Sequence, residues 1–331
     1  MEYRQLGASG LQVSALSFGA WVTFGAQVDD GTAEACLHAA WDAGVNFFDN
    51  AEVYADGRAE TVMGDIIRRA GWPRSDYVVS TKIFWGGQGP NRRGLSRKHV
   101  IEGTRAALAR LQLDYVDLLY CHRADLHTPL EETVRAMSWL VDQGLALYWG
   151  TSEWDARQIE AAHALARRER LVPPQMEQPQ YNMFHRDRIE TELAPLYTSL
   201  GLGTTIWSPL AGGILTGKYN DGVPAGTRID VPGYEWLRES VTGPAAQDKL
   251  AKARLLAPLA RELGCTLAQL ALAWCLRLPA VSSVITGASR PEQVTENMRA
   301  LDVLPRLTPK VLERIEAILE NRPRPPHDFR G

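Results

Sequence analysis

The chain has 331 residues, 45% of them hydrophobic, enough for a sizeable core in two average domains or one large α/β barrel. Its net charge is −3 with Lys and Arg scattered, which argues against a nucleic-acid-binding surface; Arg92-Arg93 and Arg167-Arg168 read as solvated faces. No apolar run approaches the ~18 residues of a membrane span, and Met1–Gln5 lack the apolar stretch of a signal peptide, so a soluble cytoplasmic protein is expected.

Short β-branched or aromatic runs alternate with longer helical patterns. Ala15–Phe18 precedes the helix pattern Thr32–Ala43, Val45–Phe48 precedes Ala59–Arg69, and Tyr77–Thr81 precedes Arg97–Leu111. Val116–Cys121 is followed by Pro129–Gln143, Ala146–Gly150 by Ala156–Arg170, and Gln175–Gln178 by Asp187–Leu200. Thr204–Trp207 leads to Asp248–Leu263 and Thr266–Arg277, and Ser283–Thr286 to Pro291–Leu301 and Thr308–Leu319. Thr32, Thr128-Pro129, Ser289-Arg290-Pro291 and Thr308-Pro309 look like helix starts, and Gly44, Gly71, Gly144, Gly201 and Gly264 look like helix stops.

Eight strands, each followed by a helix, predict a (β/α)₈ TIM barrel in one domain over residues 1–331, with active residues at the carboxyl ends of the strands. A doubly wound sheet is the runner-up, but no GxGxxG opens an early helix. Tyr3–Leu6 and Leu11–Ser14 flank Gly7-Ala8-Ser9-Gly10 and read as a hairpin before the first barrel strand. The Gly- and Pro-rich stretch from Tyr219 to Gln247 follows the seventh strand and is placed to be a lid. The tail Arg322–His327 is expected to be irregular.

Four polar residues at or just beyond successive strand ends suggest a proton-delivery site: Asp49, Tyr54, Lys82 and His122. The Tyr54 phenol would be the acid, and a Lys82 cation beside it favours the phenolate. Asp49 would hold Lys82, and His122 would orient a carbonyl oxygen. Trp21 and Trp85 directly follow the first and third strands and suit pocket walls for an apolar or aromatic carbonyl compound. Trp154, Phe184 and Trp236 fit a core equally well. Asp117 is an alternative carboxylate, but it falls inside a strand, where pairing is the better reading. His122, Asp125 and His127 faintly suggest a metal, without a third cluster in support. Cys36, Cys121, Cys265 and Cys275 show no CxxC or zinc spacing and read as buried thiols, so no metal is expected.

With Gly19–Gly25, Phe48–Tyr54, Thr81–Gly87, Gly94–His99, Tyr148–Ser152, Trp207–Leu210 and Gly287–Ser289 in this order, the chain resembles the aldo-keto reductases. It is most similar to the branch that includes the voltage-gated potassium channel beta subunits. The resemblance runs from near residue 10 to near residue 300. It implies a (β/α)₈ barrel whose bottom is closed by the hairpin. It also implies NADPH-dependent reduction of aldehydes or ketones.

Two regions suit a phosphorylated dinucleotide. In Trp207–Lys218, small residues permit close backbone approach to a phosphate and Lys218 supplies a cation, while Arg228 in the lid would close over the pyrophosphate. Ser208, Pro209, Leu210 and Gly212 belong to this set, and by resemblance Trp207 stacks on the nicotinamide. In the second region Gly287 turns the chain into a helix. Ser289, Arg290 and Gln293 at its start would hold the 2′-phosphate of NADPH. The family pattern adds Glu296 and Asn297 at the adenine, Ser152 and Gln178 at the nicotinamide carboxamide, and Trp21 and Asp49 to the cofactor contacts. Many aldo-keto reductases carry Asn directly after the serine; this chain has Glu153 there, which puts that contact in doubt.

The alternative is an NADP(H)-binding redox-sensing subunit of a membrane channel or other partner. In the resembled branch such subunits typically carry Asn where this chain has His122, and active reductases carry His, so the residue favours an enzyme. Tetramers occur in that branch, so a homo-oligomer is open.

Overall fold

The computed structural model describes residues 1–224, 227, 229 and 235–324. Strands β1 (Tyr3–Gln5) and β2 (Gln12–Ser14) form the expected antiparallel hairpin. Eight parallel strands then close a barrel in chain order: β3 (Leu16–Gly19), β4 (Phe47–Asp49), β5 (Val78–Ile83), β6 (Val116–Cys121), β7 (Ala146–Thr151), β8 (Met176–Glu177), β9 (Gly203–Ile206) and β10 (Ser283–Thr286). Register between β10 and β3 runs Val284 to Leu16 and Thr286 to Phe18, completing the ring.

Helices cover the barrel: α1 (Asp30–Asp42), α2 (Arg58–Ala70), α3 (Arg97–Leu111), α4 (Leu130–Asp142), α5 (Ala156–Glu169), α6 (Ala194–Ser199), α7 (Glu235–Thr242), α8 (Gln247–Glu262), α9 (Leu267–Leu276), α10 (Pro291–Met298) and α11 (Pro309–Leu319). Capping boxes start α5 (Asp155 with Gln158) and α9 (Thr266 with Gln269), each satisfying two otherwise orphaned N–H groups. The five glycines expected to stop helices all have positive φ, which costs glycine no Cβ clash. Among the described residues no single helix is long and apolar enough to cross a membrane.

Alternate residues of a strand face opposite ways, and this places the chemistry. Phe47, Val78, Leu118, Tyr120, Met176 and Ile285 pack inside the barrel with Leu6 and Val13 of the hairpin, which therefore plugs the amino end. Each side chain of that size contributes roughly 1.5–3 kcal/mol on burial. Two residues further along the same inward face come Asp49 after Phe47, His122 after Tyr120 and Gln178 after Met176. Val78 leads in the same way to Ser80 and Lys82. The apolar layer fixes the floor, and the polar layer above it is the candidate site.

Several details differ from the sequence expectations. Helix α1 begins before Thr32, because Asp29 accepts from the Thr32 amide at 2.7 Å and is the true cap. Thr128 does not cap α4; its hydroxyl donates to Asp125 at 2.7 Å. The pattern Asp187–Leu200 splits into a wide turn, Arg188–Glu192, and α6. Pro195 causes the break, since it has no N–H to continue the ladder. The Tyr219–Gln247 stretch contains helix α7, whose Leu237 and Val241, one turn apart, are buried. Of the tail, residues 322–324 lack regular structure, and 325–327 lie outside the described residues.

Candidate active site

Lys82 on β5 is fully buried, and its ammonium has three N–H groups to satisfy. It donates to Asp49 Oδ2 at 2.6 Å, to the Asn50 carbonyl at 2.8 Å and to the Tyr54 hydroxyl at 3.0 Å. All three donors are therefore used inside the protein. Burial by itself would lower the lysine pKa, but Asp49 and Tyr54 together hold it above the ordinary value. The Asp49 carboxylate is shared: its Oδ1 accepts from Ser80 Oγ at 2.7 Å and from Gln178 Nε2 at 3.0 Å.

Tyr54 lies on the turn after β4, where Ala55 and Asp56 take left-handed conformations. Burial raises its pKa, and the Lys82 cation only partly offsets that rise. Lys82 thus pulls in the anticipated direction, but the net effect is a phenol held protonated. His122 rests against Tyr54 and Trp85, with ring centroids 6.0 and 4.9 Å away. Burial, with the Lys82 and Arg123 cations, drives its pKa well below the usual histidine range, so the ring is neutral. Its Nδ1 is buried without a hydrogen-bond partner among the described residues.

A cavity of about 630 Å³ opens above this layer. Tyr54, Trp85 and His122 cluster on its wall, and Trp21 lines it beside Trp207 and Trp236. Asp49, Ser152, Gln178, Trp207, Ser208, Pro209, Leu210 and Lys218 also line it, as do Gly287, Ser289, Arg290, Gln293, Glu296 and Asn297 from the segment after β10. Lys82 sits beneath the surface as support. Gly212 is a correction: it does not line the cavity, and a Cβ there would meet Val241 at 2.9 Å. Gly213, at φ 104°, lines it instead, in a turn that two adjacent left-handed glycines make possible. Arg228 lies outside the described residues.

After β10, α10 opens with Pro291 at its first turn and Arg290 at the cap position, and no side chain caps it. Ser289 does not serve as its N-cap; the Ser289 amide and hydroxyl both donate to Gln293 Oε1, at 2.9 and 3.2 Å. The helix start is thus left open to an anion, beside the Arg290 side chain.

Residues 15–320 match the aldo/keto reductase family. The chain belongs to that family. Over all 331 residues it is 58% identical to a "probable voltage-gated potassium channel subunit beta" of Arabidopsis thaliana, the match covering the whole of both chains. It is 57% identical, again over the full length of both, to a protein of the same description from Oryza sativa subsp. japonica. Family membership marks the chain as an aldo/keto reductase-type oxidoreductase, of a family that generally binds NAD(P)H.

Other sequence alternatives resolve structurally. Asp117 accepts from Arg74 at 2.6 Å and from the Val79 amide at 2.8 Å, a structural role away from the cavity. Asp125 accepts from the Leu95 and His127 amides at 2.7 and 2.9 Å and so ties two loops together. Among the described residues no group of three or more His, Cys, Asp or Glu side chains is arranged to hold a metal. Trp154 is core, whereas Trp236 is 56% exposed and reaches the cavity beside Trp21. Cys265 is only partly buried; the other three cysteines are buried.

Sequence reasoning missed Arg123. Its guanidinium lines the cavity, donates to Ser152 Oγ at 3.3 Å and lies 5.4 Å from the Trp85 ring. Its position next to His122 was the available signal. Glu153 does point away from the cavity: it accepts from the Trp207 indole N–H at 2.9 Å.

Proposed function

We propose that this reductase-family protein reduces aldehydes or ketones to alcohols with NADPH, and that Tyr54 donates the proton. One observation carries the reading. Lys82 donates to the Tyr54 oxygen with the last of its three N–H groups. The phenol is thus the acceptor in that bond, which leaves its own proton free to turn toward the cavity that Tyr54 lines. When bound, NADPH supplies the hydride to the carbonyl carbon. The protein's share is position and electrostatics. Neutral His122 offers a ring N–H to the carbonyl oxygen, Tyr54 passes its proton to that oxygen, and Lys82 stabilises the phenolate left behind. Asp49 neutralises Lys82 and fixes where it points.

The cavity volume falls within the ~300–1,000 Å³ usual for cofactor and ligand pockets. Its polar groups suit the cofactor's parts in order. Ser152 and Gln178 suit the carboxamide; since Gln178 already gives its two amide hydrogens to Asp49 and Thr205, its carbonyl oxygen is left to accept. Trp207 suits the nicotinamide face, Lys218 the pyrophosphate, and the open start of α10 with Arg290 the 2′-phosphate. Glu296 and Asn297 suit the adenine. The aromatic walls Trp21 and Trp85 suit an apolar or aromatic carbonyl substrate. The one-domain reading over residues 1–331, a cytoplasmic setting and a homo-oligomer are part of this proposal.

A second reading rests on the names of the plant relatives. In it the same cavity holds NADP(H) tightly as a redox signal for a membrane partner. Multiple-turnover NADPH oxidation with a reactive aromatic aldehyde separates the two. Turnover in the wild type that is lost in Tyr54→Phe, with NADPH binding retained, supports the enzyme. Retained turnover in Tyr54→Phe sinks the assignment of the proton donor. A single slow turnover with tightly held cofactor supports the regulatory subunit.

A further inference from the structure

Glu153 is a charged residue beside the cavity that the reaction above leaves without a task. It follows Ser152 at the end of β7 and takes φ 58°, in the left-handed region that non-glycine residues enter at a cost. That turn sends the two neighbours in different directions. Ser152 faces the cavity, while the Glu153 carboxylate lies behind the tryptophan at the end of β9. Its Oε1 accepts from Trp207 Nε1 at 2.9 Å and from the Gln180 backbone amide at 2.6 Å. Its Oε2 faces Arg188 Nε at 3.8 Å.

We infer that Glu153 is a positioning residue, fixing the ring plane of Trp207 so that it presents a set face to the nicotinamide. The inference rests on the proposed placement of that ring against Trp207. An indole has one donor and two side-chain torsions, so one strong acceptor goes far toward setting its plane. A carboxylate makes that bond stronger than a neutral acceptor would. The carboxylate is itself held, by the Gln180 amide on one side and Arg188 on the other. Trp21 meets Trp207 edge-on, centroids 6.2 Å apart, and buttresses it. Glu153 therefore touches neither substrate nor cofactor and acts through the indole.

The test is calorimetric titration of NADPH and of 2′,5′-ADP, which carries the adenine end but no nicotinamide. Glu153→Leu should weaken NADPH by up to about ten-fold, the scale of having to immobilise one freed side chain on binding, and leave 2′,5′-ADP affinity unchanged. Glu153→Gln, which keeps an acceptor, should recover most of the loss. In a Trp207→Phe background, where the donor is gone, Glu153→Leu should add almost no further loss. Three results would overturn the inference: NADPH affinity unchanged in Glu153→Leu, an equal loss for 2′,5′-ADP, or a full penalty persisting beside Trp207→Phe. Wild-type protein that binds neither ligand would overturn the functional reading itself, a different outcome from any of these.

Discussion

The Lys82 ammonium bonds to the Tyr54 hydroxyl at 3.0 Å with the one N–H left over from Asp49 and Asn50. Lys82 is thus a structural cation as much as an electrostatic one, and the two roles separate by mutation. Lys82→Met leaves Asp49 buried and unpaired, and breaking a buried pair costs about 3–5 kcal/mol. In the double variant Asp49→Leu/Lys82→Met both charges are gone. The expected outcome is stability largely recovered in the double variant by denaturant titration, with reductase activity still lost in both. A double variant no more stable than Lys82→Met contradicts the pairing argument.

His122 bears on pH. Burial with the Lys82 and Arg123 cations holds its pKa well below the usual value, and burial holds Tyr54 above its own. Over the range between, His122 is neutral and Tyr54 protonated, the forms the proposed reduction requires. The kcat/KM for aldehyde reduction should therefore be flat from about pH 6 to about pH 9, with no step near the ordinary histidine pKa of ~6.5. A clear inflection there, absent in His122→Asn, would mean that His122 titrates and the cationic surroundings are weaker than the geometry indicates.

Arg290 bears on the choice of cofactor. It stands exposed at the uncapped start of α10, on the cavity wall. If it meets a 2′-phosphate, Arg290→Ala should weaken NADPH by about ten-fold or more, the scale of a charge-assisted contact. NADH, without that phosphate, should bind as before. Equal losses for the two cofactors would move the phosphate contact elsewhere.

Much of this was legible in the sequence, for a physical reason. Barrel strands are short, buried runs, and Val116–Cys121 and Ser283–Thr286 match their observed strands at both ends. Period-two alternation then carries Lys82 and His122 to the same interior face as Asp49. Other features turned on single residues or contacts that hydrophobic periodicity does not register. Asp29 outcompetes Thr32 as a cap through one local bond, and Pro195 breaks a helix that the periodicity alone would continue. Helix α7 was hidden between Gly- and Pro-rich flanks, although Leu237 and Val241 already had helical spacing. The bond between Glu153 and Trp207 joins residues 54 apart in sequence and has no local signature.

Glu177 gives a prediction about stability alone. It is fully buried behind the barrel wall; it accepts from the Thr151 hydroxyl, and its Oε1 has no partner among the described residues. Burial pushes its pKa up to about 8, the Thr151 bond opposing the rise and nearby Glu153 adding to it. The folded state thus holds this proton more tightly than the unfolded chain, whose glutamate titrates near ~4.3. Below that value both states are protonated and Glu177 costs nothing on this account. As pH rises from there to about 8 the unfolded chain sheds the proton while the folded one keeps it, so stability falls, by a few kcal/mol in all. Above about 8 the penalty stays constant. Glu177→Gln keeps the shape without the ionisation. Its melting temperature should exceed that of the wild type by on the order of 5 °C near pH 8, and by much less near pH 5. A gain of the same size at both pH values would show that packing, not the proton, sets the difference.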